Sequence, residues 1–461
     1  MIRITLANIA ALEQQVRTAL EMHDLDTLRA LLAAQHPADV ADVIDRLDDA
    51  DRISVFQLLS PAQAAEVLDE TSANATRDLL EQMPPDEAGD LLDRLPMDDV
   101  AEILAEDVPE RQQDLLAAME PGDAAEVRML LRYPPQSAGR LMTEKFVQVR
   151  PEMTAAETIA HLRRLDPEVE SLTDLYVLNP AQQLVGVVSL RTVITAPPEH
   201  RIGAIMDTQL ITATPETDQE EVARLVSQYD LLALPVVTPD RRMLGIITVD
   251  DVIDVLVQES TEDVLRFGGI EGGAAGQPYF TIPIRRAVRK RIIWLLFLFL
   301  AGTFTSGVLS FFEDELSEVI VLSVFIPLLI GTGGNTGAQT VSTVIRGLAL
   351  GEIRLSDTWR VLVRELGSGL LLGLLLGGIA FGWAFFWSKS LPIATVVGLT
   401  IIAICTWANM IGSLVPLIAE KLGIDPATVS APMITTLVDA TGLAIYLLIA
   451  KFVLGLGDIP N

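Results

Sequence analysis

The sequence predicts a multidomain integral membrane protein: a cytosolic α-helical superhelix of repeats, then an α/β repeat pair, then a five-helix α transmembrane domain. Three observations carry this. Charge and hydrophobicity are segregated, because the formal charge is −29 although 50% of the 461 residues are hydrophobic and mean hydropathy is +0.39. Prolines recur every 24 residues near the start. Five apolar stretches long enough to cross a bilayer fill the last third.

Residues 1–284 hold 21 Lys and Arg against 51 Asp and Glu, a net of −30, whereas residues 285–461 hold 12 against 11, a net of +1. An acidic, water-facing part therefore precedes a nearly neutral apolar part. The acidity argues against nucleic acid as a partner, since phosphate contacts need a basic footprint. One cysteine, Cys405, excludes a disulfide scaffold. His23, His36, His161 and His200 are far apart and lack cysteine partners, which argues against structural zinc. The opening MIRITLANIAALEQQ has no basic-then-apolar leader pattern, so the acidic part is expected to stay in the cytoplasm.

The first domain is placed at 1–134. Pro37, Pro61, Pro85 and Pro109 are spaced by 24, with Pro121 half a period later, and the matching phrases are PADVADVIDRL, PAQAAEVLDE, PDEAGDLLDRL and PGDAAEVRMLL. Proline suits the first helical turn, and Leu and Val recur behind it at helical spacing. Stacked short helix pairs follow, with one further helix expected in the first 35 residues.

Residues 138–200 and 201–262 form a looser repeat. AGRLMTEKFVQVRPEMTAAETIAHL and then LVGVVSL match IGAIMDTQLITATPETDQEEVARLV and then MLGIITV. Each copy reads strand, proline turn, amphipathic helix, strand, polar turn, glycine-containing strand, helix. The pair resembles tandem CBS domains, which implies a ligand-sensing or dimerising module. Residues 250–284 continue as an acidic connecting helix and a linker containing Gly268, Gly269, Gly272, Gly273 and Gly276.

The five spans are expected at about 292–312, 319–345, 366–388, 390–419 and 426–456, within a domain of residues 285–461. Ten bases, from Arg285 to Lys421, fall on one side and two, Lys389 and Lys451, on the other. The positive-inside rule then puts the N-terminus in the cytosol and the C-terminus outside.

Two constellations could carry chemistry. Pro327 and the run GTGGNTG should interrupt the second span. Its residues Gly333, Gly334, Asn335, Thr336 and Gln339 read either as a pore lining of neutral oxygens or as a small-residue packing face. Asp439 stands alone as an ionisable residue well inside a span, with Thr435 and Thr436 one turn before it. A carboxylate there is costly, and it points to a bound cation. No ATP-binding motif or enzyme signature accompanies them.

PLLIGTGGNTGAQT (327–340), RGLALGEI (346–353) and DPATVSAPMITTLVDATG (425–442), in that domain order, resemble the MgtE family of magnesium channels. The resemblance implies a homodimer in the lipid of a bacterial cytoplasmic membrane and passive Mg2+ uptake, with Asp439 of each subunit at the pore's central metal site. It also implies closure by cytosolic Mg2+ on acidic faces, and it leaves ATP open as a ligand of the CBS pair. The regulatory candidates are Asp250, Asp251, Asp254, Glu259, Glu262 and Asp263 on the connecting helix, and Asp90, Asp93, Asp98 and Asp99 on the repeats. The competing reading is a membrane-anchored, nucleotide-sensing CBS signalling protein. Asp439 and the unusual second span argue against it, since an anchor needs neither.

Overall fold

A computed structural model describes residues 6–105, 108–165, 169, 171–270 and 282–456. The chain divides into two compact bodies, one built mainly from residues before 260 and the other from those after.

The first body opens with α1 (Leu6–Glu21) and α2 (Leu25–Ala33), two helices where one was expected. The repeats follow as α3 (Pro37–Arg46), α4 (Asp49–Phe56), α5 (Pro61–Asp69), α6 (Ala73–Glu81), α7 (Pro85–Leu92), α8 (Met97–Ala105), α9 (Pro109–Ala118) and α10 (Pro121–Leu130). Each periodic proline opens a helix, where its missing N–H would have had no intrahelical partner. Odd-numbered helices α3 to α9 stack in succession, as do even-numbered α4 to α10. Their buried Leu, Val and Ala stripes merge into one apolar core.

The α/β repeats comprise α11 (Ala138–Leu141), β1 (Phe146–Val149), α12 (Ala155–Leu162), β2 (Ser171–Leu178), β3 (Leu184–Ser189), α13 (Leu190–Thr195), α14 (Ile202–Ile205), α15 (Gln219–Tyr229), β4 (Ala233–Val237) and β5 (Met243–Thr248). In the first copy β1 runs parallel to β2, which pairs antiparallel with β3. The second copy keeps only the antiparallel pair β4–β5. Its expected first strand is reduced to a bridge between Ala213 and Val236. The copies exchange chain segments: Thr143 bridges Ile246, and Asp207 bridges Val187. Glycines permit this, since a Cβ on Gly245 would lie 2.6 Å from the Thr143 carbonyl oxygen. Leu234, Val236, Ile247 and Val252 of the second copy join the core of the helical repeats.

From β5 the chain enters α16 (Val249–Phe267). The second body then holds α17 (Ile284–Phe311), α18 (Glu313–Glu318), α19 (Val321–Ala349), α20 (Thr358–Ser388), α21 (Leu391–Lys421) and α22 (Ala431–Leu454). All but α16 and α18 are long and apolar enough to cross a membrane. Three features differ from expectation. Helix α17 starts at Ile284 and includes the basic run, because Arg and Lys are good helix formers that reach back to water. Helix α19 continues unbroken through Pro327 and the glycine run, held by neighbours on both sides. Helix α20 begins at Thr358, so Arg360, Arg364 and Glu365, expected in the loop before the third span, lie in its first turns. Gly272, Gly273 and Gly276 of the expected linker lie outside the described residues.

Candidate ion site

Helices α19, α21 and α22 meet at backbone distance because their facing positions are small. A Cβ on Gly337 would lie 3.0 Å from Ile434 Cγ2, and one on Gly412 2.8 Å from the Gly337 carbonyl oxygen. A Cβ on Gly334 would stand 2.7 Å from Thr435 Cγ2 and 3.5 Å from Asp439 Oδ1. The glycine run of α19 therefore lies directly against the carboxylate of α22.

Asp439 is half-buried. Its Oδ1 is buried and has no hydrogen-bond partner among the described residues. A buried carboxylate oxygen without a donor is costly, and a cation is the partner that removes the cost. Thr435 Oγ1 and Thr436 Oγ1 donate to the Ala431 and Pro432 carbonyls, each at 2.9 Å. Their protons are thereby occupied, which leaves lone pairs to accept from water or a hydrated ion. Asn335 and Gln339 are exposed, one turn apart on α19, and no neighbour among the described residues covers them.

Two pore-lining candidates fall elsewhere. Gly333 is buried against Ile404 and Val438. Thr336 is buried, donates to the Thr332 carbonyl at 2.7 Å and approaches Cys405 Sγ at 3.8 Å. Both belong to the packing seam with α21, on the face of α19 turned away from Asn335.

The start of α22 is tied down independently. Ser430 Oγ accepts from Trp294 Nε1 at 3.0 Å and from the Met433 N–H at 3.4 Å. Just before it, Asp425 caps Ala427 at 2.8 Å and is ion-paired to Arg266. Arg266 also holds Glu262, so that regulatory candidate already has a fixed cation.

The acidic candidates of the first body divide by what already engages them. Asp93 accepts twice from the Glu120 N–H, at 3.0 Å each, and so caps α10. Asp251 Oδ2 accepts from Thr248 Oγ1 at 2.6 Å, at the start of α16. Glu259 accepts from Gln219 Nε2 at 2.5 Å. Asp90, Asp250 and Asp254 are exposed and Asp98 is buried, while Asp263, which belongs to the second body, is half-buried.

Asp99 is different. Burial, reinforced by Asp98, Asp69, Asp251 and Glu102, pushes its carboxyl up to about 9. Asp69 hydrogen-bonds to Asp99 and is likewise raised by burial, with Glu70 and Asp250 adding to it. Sequence reasoning missed Asp69 and Glu102, although the repeat held the signal for Asp69. Asp45, Asp69 and Asp93 occupy one repeat position, 24 residues apart. Asp45 caps α6 through Ser72, and Asp93 caps α10 through Glu120. The corresponding residue ahead of α8 is Pro96, which has no N–H, so Asp69 is left to face Asp99. Among the described residues, no three Asp, Glu, His or Cys side chains converge as a ready-made metal cage. The cluster is a crowding of carboxyl groups that resist ionising together rather than an inner-shell ligand set.

Helices long and apolar enough to span a membrane, one of them carrying a buried carboxylate, and an acidic N-terminal body fit the class of membrane transport proteins for cations. Comparisons with known proteins agree. The model for the MgtE divalent cation transporter family matches residues 326–449, that for the MgtE intracellular N domain matches 35–136, and CBS domains match 138–199 and 202–258. The magnesium transporter MgtE of Thermus thermophilus is 40% identical over 71% of this chain and 72% of its own length. That of Bacillus subtilis is 36% identical over 70% and 71%. A crystal structure of the cytosolic domain of the Mg2+ channel MgtE in complex with ATP covers 53% of this chain and 99% of its own, at 39% identity and a TM-score of 0.50. The chain belongs to the MgtE family.

Proposed function

We propose that the chain is a magnesium channel that mediates passive Mg2+ entry across the bacterial cytoplasmic membrane, with Asp439 as the charge that holds the ion. The observation that carries this is the buried, unpartnered Oδ1 of Asp439 beside Gly334 and Thr435. Mg2+ gives up water reluctantly and prefers octahedral oxygen shells. A path that holds the hydrated ion needs a nearby charge and water-accepting oxygens, and Asp439, Thr435, Thr436, Asn335 and Gln339 supply them. Exposed Asn335 and Gln339 are unfavourable against lipid, which supports a homodimer whose second copy covers this face.

The N-terminal body lies in the cytosol on the basic side of the spans. There, Mg2+ between acidic faces relieves their repulsion and favours the closed state, with Asp69, Asp98, Asp99, Asp250 and Asp251 as the principal cluster. Asp90 and Asp254 add to the same field. The ATP-bound relative supports an adenine nucleotide as a further ligand of the CBS pair.

Purified protein in liposomes tests the transport reading. Mg2+ entry should need no ATP and should rise with an imposed interior-negative potential, worth about 4.6 kcal/mol per 100 mV for a divalent ion. Entry that requires ATP or ignores the potential would contradict a channel.

A further inference from the structure

A polar chain crosses three membrane helices away from Asp439. Asn409 on α21 is only 1% exposed. Its Oδ1 lies 3.0 Å from Thr340 Oγ1 of α19, whose single proton is shared between this amide oxygen and the Thr336 carbonyl at 3.1 Å. Its Nδ2 donates to the Glu365 main-chain carbonyl of α20 at 3.1 Å and to Glu365 Oε2 at 3.3 Å. Backbones touch on both sides of it. A Cβ on Gly369 of α20 would lie 3.0 Å from Asn409 Cβ, and one on Gly412 would lie 3.1 Å from Thr340 Cβ.

A leucine would fill this site without the cost of burying an amide. What an amide adds is register: its acceptor meets one helix and its donors another, so sliding α19 along α21 breaks the bond that packing alone would tolerate. Gly334, Asn335 and Gln339 lie on α19 within six residues of Thr340, or about 9 Å of helix. One residue of slippage would move them about 1.5 Å relative to Asp439.

We propose that Asn409 is a positioning residue for ion conduction: bridging Thr340 and Glu365, it fixes the axial register of α19 against α21 and α20, and with it the height of Gly334, Asn335 and Gln339 along the ion path. The proposal rests on the reading that α19 lines the ion path. Glu365 orients the amide through its main-chain carbonyl and its Oε2.

The test is Mg2+ uptake into proteoliposomes as a function of external Mg2+, normalised to incorporated protein. Asn409→Leu and Thr340→Val should each raise the half-saturating concentration by about 3- to 20-fold, the worth of one interhelical hydrogen bond in a membrane. The double variant should match the singles rather than multiply them. Thr340→Ser, which restores the hydroxyl, should return the value to within about twofold of wild type. Thr340→Val preserves volume, so it carries the test if Asn409→Leu fails to fold. An unchanged half-saturating concentration, with flux falling only as protein incorporation falls, would overturn the proposal, as would multiplicative effects. If Asp439→Ala abolishes uptake while these variants behave as wild type, this inference alone fails. If Asp439→Ala leaves uptake intact, the reading of the path fails instead.

Discussion

Pro96 shows how one side chain redirects another. It denies Asp69 the capping duty of its repeat mates and leaves it against Asp99. Folded Asp99 keeps its proton up to about pH 9, whereas an unfolded aspartate loses it near 3.8. Between these values the folded state binds more protons, so this group's contribution is fully present below pH 3.8 and is lost as pH rises through about 9. Without divalent cations, the melting temperature of the acidic body should fall between pH 5 and pH 8. Mg2+ should flatten the decline, and Asp99→Asn should flatten it without Mg2+. Calorimetry across that range decides, and a wild-type melting temperature that rises with pH in the absence of Mg2+ would sink the account of the cluster. Asp439 was legible because it is a charge in an apolar run. Asp69 was hidden because it is one acid among many, and its neighbour Asp99 lies on a different repeat.

At the scale of elements, the 24-residue proline period marked the repeat helices because proline and helix starts share one cause. The strand lost from the second copy was not legible, because its pairing depends on the partner segment rather than on its own residues. Nor was the continuity of α19, since glycine and proline weaken an isolated helix and only neighbouring helices reverse that. Neighbours also set which glycines matter. A Cβ on Gly333 meets Ile404 and Val438, whereas one on Gly378 of α20 has nothing within 4 Å. Gly373 of the same helix is no neutral control, because a Cβ there would lie 2.8 Å from Ile402 Cα. Gly333→Leu should cut Mg2+ flux per incorporated protein by about tenfold or more, the cost of an overpacked seam. Gly378→Leu should stay within about twofold, as exposed apolar positions do. Equal losses at both positions in the liposome assay would contradict this packing account.

For the whole molecule, segregated charge is the organising fact: an acidic body precedes a nearly neutral membrane body. If Mg2+ closes the channel by bridging acid, losing acid should open it, because the bridging ion favours only the closed state. Asp69→Asn, Asp99→Asn and Asp250→Asn combined should raise open probability in excised patches at millimolar internal Mg2+. Inhibition unchanged from wild type would place the sensor elsewhere. The central claim is that the carboxylate of α22 holds the passing ion. Its most direct test compares Mg2+ uptake by wild type and Asp439→Ala in liposomes, with matched incorporation and oligomeric state. A carboxylate that costs about 3 kcal/mol to bury at that depth is retained for what it holds, and removing it should lower flux by about a hundredfold or more. Uptake by Asp439→Ala at the wild-type rate would contradict it.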